Sequence, residues 1–371
     1  AMSLKVTDLQ SGDARAVYKN SGMDMRTYKR LQMFVHAEKL IDDKTNLRDG
    51  DVSVFLRLGS DSKSNYYEYE VPLSLTEPGN YSTYNAQDQE AVWPQSNMFD
   101  FPLSLFTDLK LERNAKKRMD NSTVTFQTRY SSYDQNKVTI VGNPSLSDVR
   151  TMMIGVRNNS NAAKDIVVWV NEMRLTDFDQ SGGWAAKANV NLGLSDIATL
   201  NIAGHVETVG FGGIDQSLTE RRLDDYYQYN IATMVELGRF LPEKVKLKAP
   251  LFYSITEQRT SPKYNPLDQD ILLKDALDNA GSKAERDSIS DASIEKSTVE
   301  SFSLSGVSFD IRSKNPMPYD PANFSISYSY NRQSKQDPTT EFENTYDYRG
   351  SFTYSYTPFV KPFVPLKGLN I

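Results

Sequence analysis

The sequence predicts an all-β protein, a sandwich or jelly roll followed by long alternating strands, and three observations carry that prediction. Hydrophobic content is 39% with a mean hydropathy of -0.55, low for a chain with an ordinary buried core, yet aromatic content is 11%, supplied by Tyr 21 and Phe 17 far more than by Trp 3. Many strands with one wet face reconcile those figures, whereas a disordered chain would lack the aromatics. Second, apolar residues recur at period two along much of the chain. Third, Gly, Asp, Asn and Ser turns punctuate these runs at near-regular spacing. With 371 residues, two or more units are expected.

In the first half, Leu31–Ala37 reads as a strand, and Asp49-Gly50-Asp51 as a turn. Val52–Leu58 and Tyr66–Leu73 follow with clear alternation. A short helix is expected over Phe101–Arg118, since Pro102 suits its start and Arg113, Lys116, Lys117 and Arg118 suit its C-terminal dipole. Strands at Thr123–Tyr130, Met152–Arg157 and Ile166–Leu175 complete a sandwich-like set. The run Trp169-Val170-Asn171-Glu172-Met173-Arg174-Leu175 is similar in architecture to the closing strand of carbohydrate-binding sandwiches. A sugar-binding role would also need exposed aromatics around a cleft.

The polar turn Thr176–Gly183 marks a change of character. Trp184, Ala186, Ala188, Val190, Leu192 and Leu194 form one apolar face, against Ala185, Lys187, Asn189, Asn191 and Gly193. That length crosses a bilayer at a barrel-like tilt. Returning runs carry Leu200, Ile202 and Val206, then Tyr227, Tyr229, Ile231, Thr233, Val235 and Leu237. After the turn Gly238–Glu243 come Val245, Leu247, Ala249, Leu251, Tyr253 and Ile255, opposite Lys246 and Lys248. A membrane strand and a soluble antiparallel strand share this alternation, so periodicity alone does not separate them. Length, repetition and aromatics near strand ends favour the barrel. On that reading Lys187, Asn189, Asn191, Gln228, Asn230, Glu236, Lys246 and Lys248 face the lumen. Trp184, Val190, Leu192, Leu194, Tyr229, Val235, Leu247 and Leu251 face outer-membrane lipid.

Residues 262–299 break the pattern: Asp268 is positioned to cap a helix through Ile271, Leu272, Ala276 and Leu277, and the charged, Ser-rich Ser282–Ser297 is expected to bury little. This reads as an excursion outside the membrane, part helix and part mobile loop. Strands resume at Ser301–Ile311, Asn323–Asn331 and Tyr346–Tyr356, and Pro358, Pro362 and Pro365 end them. So few long strands leave open edges, which must pair with further sequence or pack as a soluble sandwich.

The residues offer little chemistry. Net charge of -6 gives no footprint for nucleic acid. Cys 0 excludes disulfides, thiolate sites and a thiol nucleophile. His36 and His205 alone exclude a multi-histidine metal site and make a Ser-His-Asp triad improbable. Asp49 and Asp51 lack the twelve-residue calcium-loop pattern and read as a turn. Gly210-Phe211-Gly212-Gly213 precedes no periodic helix, so a strand-end loop is preferred to a phosphate cradle. Asp224, Asp225, Glu172 and Asp177 are taken as solvated carboxylates, and His205 as a polar-face residue without a role. No catalytic, cofactor-binding or metal-ligating residue is assigned, and the chain is read as a non-enzyme. No 18-residue apolar run spans a membrane as a helix, and the opening Ala1-Met2-Ser3 is not a leader, so a targeting signal would lie outside this segment.

The stretch Trp169–Asp179 with Gly182-Gly183-Trp184-Ala185-Ala186 closely resembles the SprA/Sov family. Thr208-Val209-Gly210-Phe211-Gly212, Leu241-Pro242-Glu243-Lys244, Lys263-Tyr264-Asn265-Pro266-Leu267-Asp268 and Leu272–Leu277 extend the likeness, in order, from Ile166 to about Asn279. The resemblance implies the outer-membrane translocon of type nine secretion in Bacteroidota, a very large single-chain barrel that passes folded cargo and supports gliding motility. It implies that this chain is a fragment, partnered by the remaining barrel segments. It also implies a plug protein, a barrel-shaped cargo shuttle and cargo bearing a C-terminal secretion domain. The expected organisation is a β-sandwich at 1–180, transmembrane-type strands at 181–260, a helical excursion at 261–299 and further strands of a large transmembrane β-barrel at 300–371. A soluble cell-surface sandwich that binds glycan or protein is the alternative.

Overall fold

A computed structural model describes residues 1–133 and 135–358, so Pro362 and Pro365 lie outside the described residues. The chain opens with β1 (Met2–Leu9), β2 (Ala14–Met23), β3 (Tyr28–Glu38), β4 (Val52–Gly59) and β5 (Tyr66–Pro72). Next come α1 (Ala86–Val92), β6 (Phe99–Pro102), α2 (Ser104–Lys117), β7 (Tyr130–Tyr133), β8 (Lys137–Val141), β9 (Val149–Asn158) and β10 (Lys164–Phe178). Five strands follow, β11 (Ala185–Leu194), β12 (Ala198–Glu207), β13 (Asp224–Glu236), β14 (Leu247–Lys248) and β15 (Pro250–Pro262). A short hairpin, β16 (Tyr264–Asn265) and β17 (Asp268–Leu272), leads to α3 (Leu273–Asp278) and α4 (Lys283–Ser293). The last strands are β18 (Glu295–Phe309), β19 (Phe324–Asp337) and β20 (Thr340–Tyr354).

Two compact units share this chain. Unit 1 is Ala1–Ser181 together with Tyr264–Ile289, and unit 2 is Gly182–Lys263 together with Ser290–Ile371. Unit 1 is a sandwich of a four-stranded sheet, β1-β10-β3-β6, and a six-stranded sheet, β2-β9-β4-β5-β8-β7. Alternation assigns the core. Leu31, Met33, Val35, Ile166, Val168, Phe99 and Phe101 from the first sheet meet Val54, Leu56, Leu58, Tyr67, Tyr69, Val138 and Ile140 from the second. Each such side chain stabilises the fold by roughly 1.5–3 kcal/mol through lost contact with water. Aromatic pairs lock the middle, with Tyr69 stacked on Phe101 at 3.9 Å and Tyr67 on Phe106 at 4.9 Å between centroids.

Two expected elements differ. The helix begins at Ser104, because Phe99 and Phe101 alternate into the core and pair with Leu31 and Met33 as strand β6. The expected strand Thr123–Tyr130 is mostly turn. Asn121 takes a left-handed φ of 62°, and the Thr125 and Thr128 amides each donate to the other residue's hydroxyl oxygen, at 3.0 and 3.3 Å, in bonds that compete with a ladder. The Asp49-Gly50-Asp51 turn is present: Gly50 has a φ of 79°, Asp49 accepts from the Leu75 amide, and Asp51 pairs with Lys164 at 2.7 Å.

The outward side of the six-stranded sheet buries Glu68 completely beneath Arg57, Arg129 and Arg157. Burial alone would raise the Glu68 carboxyl, but the three guanidiniums outweigh it and hold it below its ordinary value. Glu70 beside it takes Arg157 and the Ser53 hydroxyl.

The stretch Tyr264–Ile289, expected as an excursion, packs as part of unit 1 through a buried polar cluster. Lys110 of α2, fully buried, donates to Asp268, to Asp270 at 2.8 Å and to the Pro144 carbonyl at 2.8 Å. Asp270 also accepts from the Tyr67 hydroxyl at 2.7 Å and the Leu146 amide at 3.1 Å. Burial raises the Asp268 carboxyl, against the pull of Lys110, and burial beside Asp270 pushes the Tyr67 hydroxyl well up. Asp268 is therefore a strand residue answering a buried cation. The helix it was expected to cap starts instead at Leu273, with Leu272 at its N-cap. Nor is Ser282–Ser297 a bare loop. The Ser282 hydroxyl caps the Glu285 amide at 3.1 Å, and Glu285 reaches Arg118 at 3.2 Å, so α4 forms.

Candidate functional site

Unit 2 is one eight-stranded antiparallel sheet, ordered β11-β12-β13-β15-β18-β19-β20, with β14 paired to β18. Among the described residues it does not close on itself, and β11 and β20 are its edges. Neighbours pair over most of their length, so residues directly opposite share a face and form rows across the sheet. Every residue of the edge strand β11 is exposed, and most residues of the inner strands β12, β13, β15 and β18 are half-buried.

One face is apolar. Its central row runs Leu192, Leu200, Thr233, Tyr253, Phe302, Tyr330 and Tyr348. Val190, Leu192, Leu194, Tyr229, Val235 and Leu251 lie on this face, Leu247 joins it opposite Phe309, and Trp184 precedes β11 in the same alternation. Trp184 is 59% exposed and Leu194 56%, so these side chains have no core to enter. The apolar area forms a slanting band. Its lower border passes from Trp184 through Val206, Tyr227, Ile255 and Phe302 to Tyr330, with Tyr346 one row lower on β20. Four rows of about 7 Å are climbed over five inter-strand steps of about 4.8 Å, a slant on the order of 45°.

The opposite face is polar. Lys187, Asn189, Asn191, Gln228, Asn230 and Glu236 lie on it, and Lys248 joins it opposite Ser308. Lys246 does not belong to this alternation: it caps a 3-10 turn over Glu243–Val245 with a left-handed φ of 50°, because the chain must turn before re-entering the sheet. Asn201 donates to Asn191 and, at 3.2 Å, to Asn189, and Asn230 donates to Thr256 at 2.7 Å. His205 sits on this face and meets Glu207 at 3.1 Å. Glu236 accepts from the Ala249 amide at 2.7 Å and so ties the turn to its strand. Ser254, Ser301, Ser303, Ser327 and Ser329 continue the polar surface, interrupted by Met234, Phe252 and Val299. Sequence reasoning did not single out these interruptions, which break strict alternation.

The remaining chemical candidates do not converge. Gly210 has a φ of 85° in a strand-end loop, Arg222 pairs with Asp224 at 2.8 Å and Glu207 at 2.6 Å, and Asp225 accepts the Val209 amide at 2.8 Å. Glu172 pairs with Arg174 in unit 1. Among the described residues no three His, Cys, Asp or Glu side chains group as metal ligands. No described helix is long and apolar enough to cross a membrane, which does not bear on strands.

No curated protein matches the chain at a significant level. A family model described as motility related/secretion protein, SprA_N, matches residues 1–277, which takes in Ala1–Ser181 of unit 1, β11–β15 and the first part of the segment that returns to unit 1. The chain belongs to this SprA_N family of motility-related and secretion proteins, and its association is with the cell envelope.

Proposed function

We propose that unit 2 is part of the wall of an outer-membrane protein-conducting barrel, which exports folded cargo in type nine secretion and gliding motility. The apolar face meets lipid and the polar face lines the lumen. The observation that carries this is the slanting band: strands of a membrane barrel tilt by about 35–45° to the barrel axis, so a lipid-facing band must cross them obliquely. A soluble sheet covering a core would have no reason to slant its apolar area, and would bury it. The open edges at β11 and β20 are then continued by further strands of the same barrel, since an unpaired edge has no water to satisfy it in a bilayer. The pore acts by shape and surface rather than by covalent chemistry. A plug protein, a barrel-shaped shuttle and cargo with a C-terminal secretion domain are its proposed partners.

Single cysteines test the alternation, because this chain has Cys 0 and contributes no background thiol. An environment-sensitive fluorophore at Leu192→Cys should emit as in hydrocarbon, and at Asn191→Cys as in water. Water-like emission at both positions would sink the barrel wall and favour a soluble surface module.

A further inference from the structure

Where the apolar band ends on β13, β15, β18 and β19, the same face turns abruptly charged. Two adjoining grooves lie there, of about 430 Å³ along β13 and β15 and about 260 Å³ along β18 and β19. Asp225, Glu257 and Arg259 line the first, and Lys296, Glu300 and Arg332 the second. These are three carboxylates and three cations: Arg259 stands directly opposite Lys296, Glu300 directly opposite Arg332, and Glu257 two residues from Arg259 on the same face. Lys296 meets Glu257 at 3.3 Å across the strand boundary. Tyr229 donates at 3.1 Å to Glu257, directly opposite it, and Tyr253 donates at 3.0 Å to Glu300, one row further along, so aromatic hydroxyls orient both carboxylates.

We infer that these grooves seat the phosphoethanolamine headgroups of phospholipid, an inference resting on the barrel-wall reading above. A lipid whose chains lie on Tyr253 and Phe302 places its headgroup at this border. Its phosphate then meets Arg259, Lys296 or Arg332, and its ammonium meets Glu257 or Glu300. Like residues two apart along one face are separated by about 7 Å, comparable to the reach of a headgroup that joins its two charges through two carbons. The equal count of charges selects a zwitterion: an anionic headgroup would satisfy the cations and leave the carboxylates repelled. An ammonium with hydrogens to donate is preferred to a quaternary one, because carboxylates reward charge-assisted hydrogen bonds.

The test uses the full-length protein, purified into mixed micelles with equal phosphatidylethanolamine, phosphatidylcholine and phosphatidylglycerol, and counts retained lipid by native mass spectrometry. Phosphatidylethanolamine should be retained preferentially, and the preference should fall roughly tenfold in Arg259→Gln/Lys296→Gln/Arg332→Gln, as loss of one charge-assisted hydrogen bond would give. Glu257→Gln/Glu300→Gln should instead shift retention toward phosphatidylglycerol. Equal retention of all three lipids, a preference for phosphatidylglycerol in the unaltered protein, or no change in either variant overturns the inference. A fluorophore at Leu192→Cys in the same samples separates the two readings. Hydrocarbon-like emission with no lipid preference rejects only the headgroup seat, whereas water-like emission rejects the barrel wall beneath it.

Discussion

Lys110 and Asp270 meet at 2.8 Å across 160 residues of sequence, and neither side chain is exposed. The pair joins the helix of the sandwich to a segment delivered between two strands of unit 2. Removing one partner of a buried pair leaves an uncompensated charge, which costs about 3–5 kcal/mol. Lys110→Met should therefore lower the unfolding midpoint of unit 1 sharply and admit protease at Gly281–Lys283. Lys110→Met combined with Asp268→Asn and Asp270→Asn should recover most of the loss, measured by differential scanning calorimetry on the same samples. Tyr67→Phe should cost less, about 1–3 kcal/mol, because Asp270 keeps Lys110 and the Leu146 amide.

Glu68 makes unit 1 acid-sensitive. Its carboxyl is held below its ordinary value near 4.5, chiefly by Arg157, Arg57 and Arg129 working against burial. A depressed acid adds stability above its unfolded value and loses it as pH falls through the folded value. Denaturation midpoints should thus be flat from neutral pH down to about 5 and drop below about 4.5. Asp61, held down to about 2 by the amides of Lys63, Ser64 and Asn65 against burial, extends the drop to lower pH. In Glu68→Gln the neutral-pH midpoint should fall and its slope between pH 4.5 and 3 should flatten; an unchanged slope would show that the carboxylate is not the group lost.

The strands of unit 2 were legible because neither face is sealed into a core, so most residues keep the period-two signal, with Met234, Phe252 and Val299 as exceptions. Those of unit 1 were partly hidden. β2 is nearly all exposed and has no apolar face to read, while β1 draws its identity from pairing with β10, remote in sequence. Thr125 and Thr128 resemble strand formers until their hydroxyls are seen closing a turn. The Ser282-Lys283-Ala284-Glu285 start signal, in which the Ser282 hydroxyl accepts from the Glu285 amide and the Glu285 carboxylate accepts from the Gly281 amide, was present in the sequence and was obscured by the charge around it. What no local pattern carries is the Lys110–Asp268–Asp270 cluster, since the register of a hairpin against a distant helix is set only by packing. The slanting border of the apolar face likewise needs the strand register, because each strand alone reports only its own alternation.

Gly155 leaves room for Phe55. A Cβ there would stand 2.5 Å from the Phe55 ring, 2.6 Å from the Ala16 side chain and 2.7 Å from the Arg15 carbonyl. Arg57 and Arg157 both lie over the same ring, at 5.1 and 4.8 Å, so the ring cannot withdraw without disturbing the cations that serve Glu68. Gly155→Ala should cost about 1–3 kcal/mol by overpacking. It should also raise the midpoint of the acid transition, whereas Gly193→Ala, with open space around it, should leave unfolding temperature unchanged.

Arginine scanning of β11 distinguishes its two faces energetically. Val190 is 48% exposed on the apolar face, opposite Ile202, and Asn189 is exposed on the polar face, opposite Ala203. Placing a guanidinium toward hydrocarbon costs about 2–4 kcal/mol near the bilayer centre and little in a wet lumen. Val190→Arg should therefore reduce the amount of assembled protein in outer-membrane fractions and its resistance to detergent unfolding, while Asn189→Arg should assemble normally. Two sites one residue apart share the same strand, pairing and turn, so a difference between them reports the environment of each face and not the strand's own propensity. If both variants assembled equally well, neither face of β11 would be in lipid. If Asn189→Arg alone failed, the lumen and lipid faces would be the reverse of those proposed.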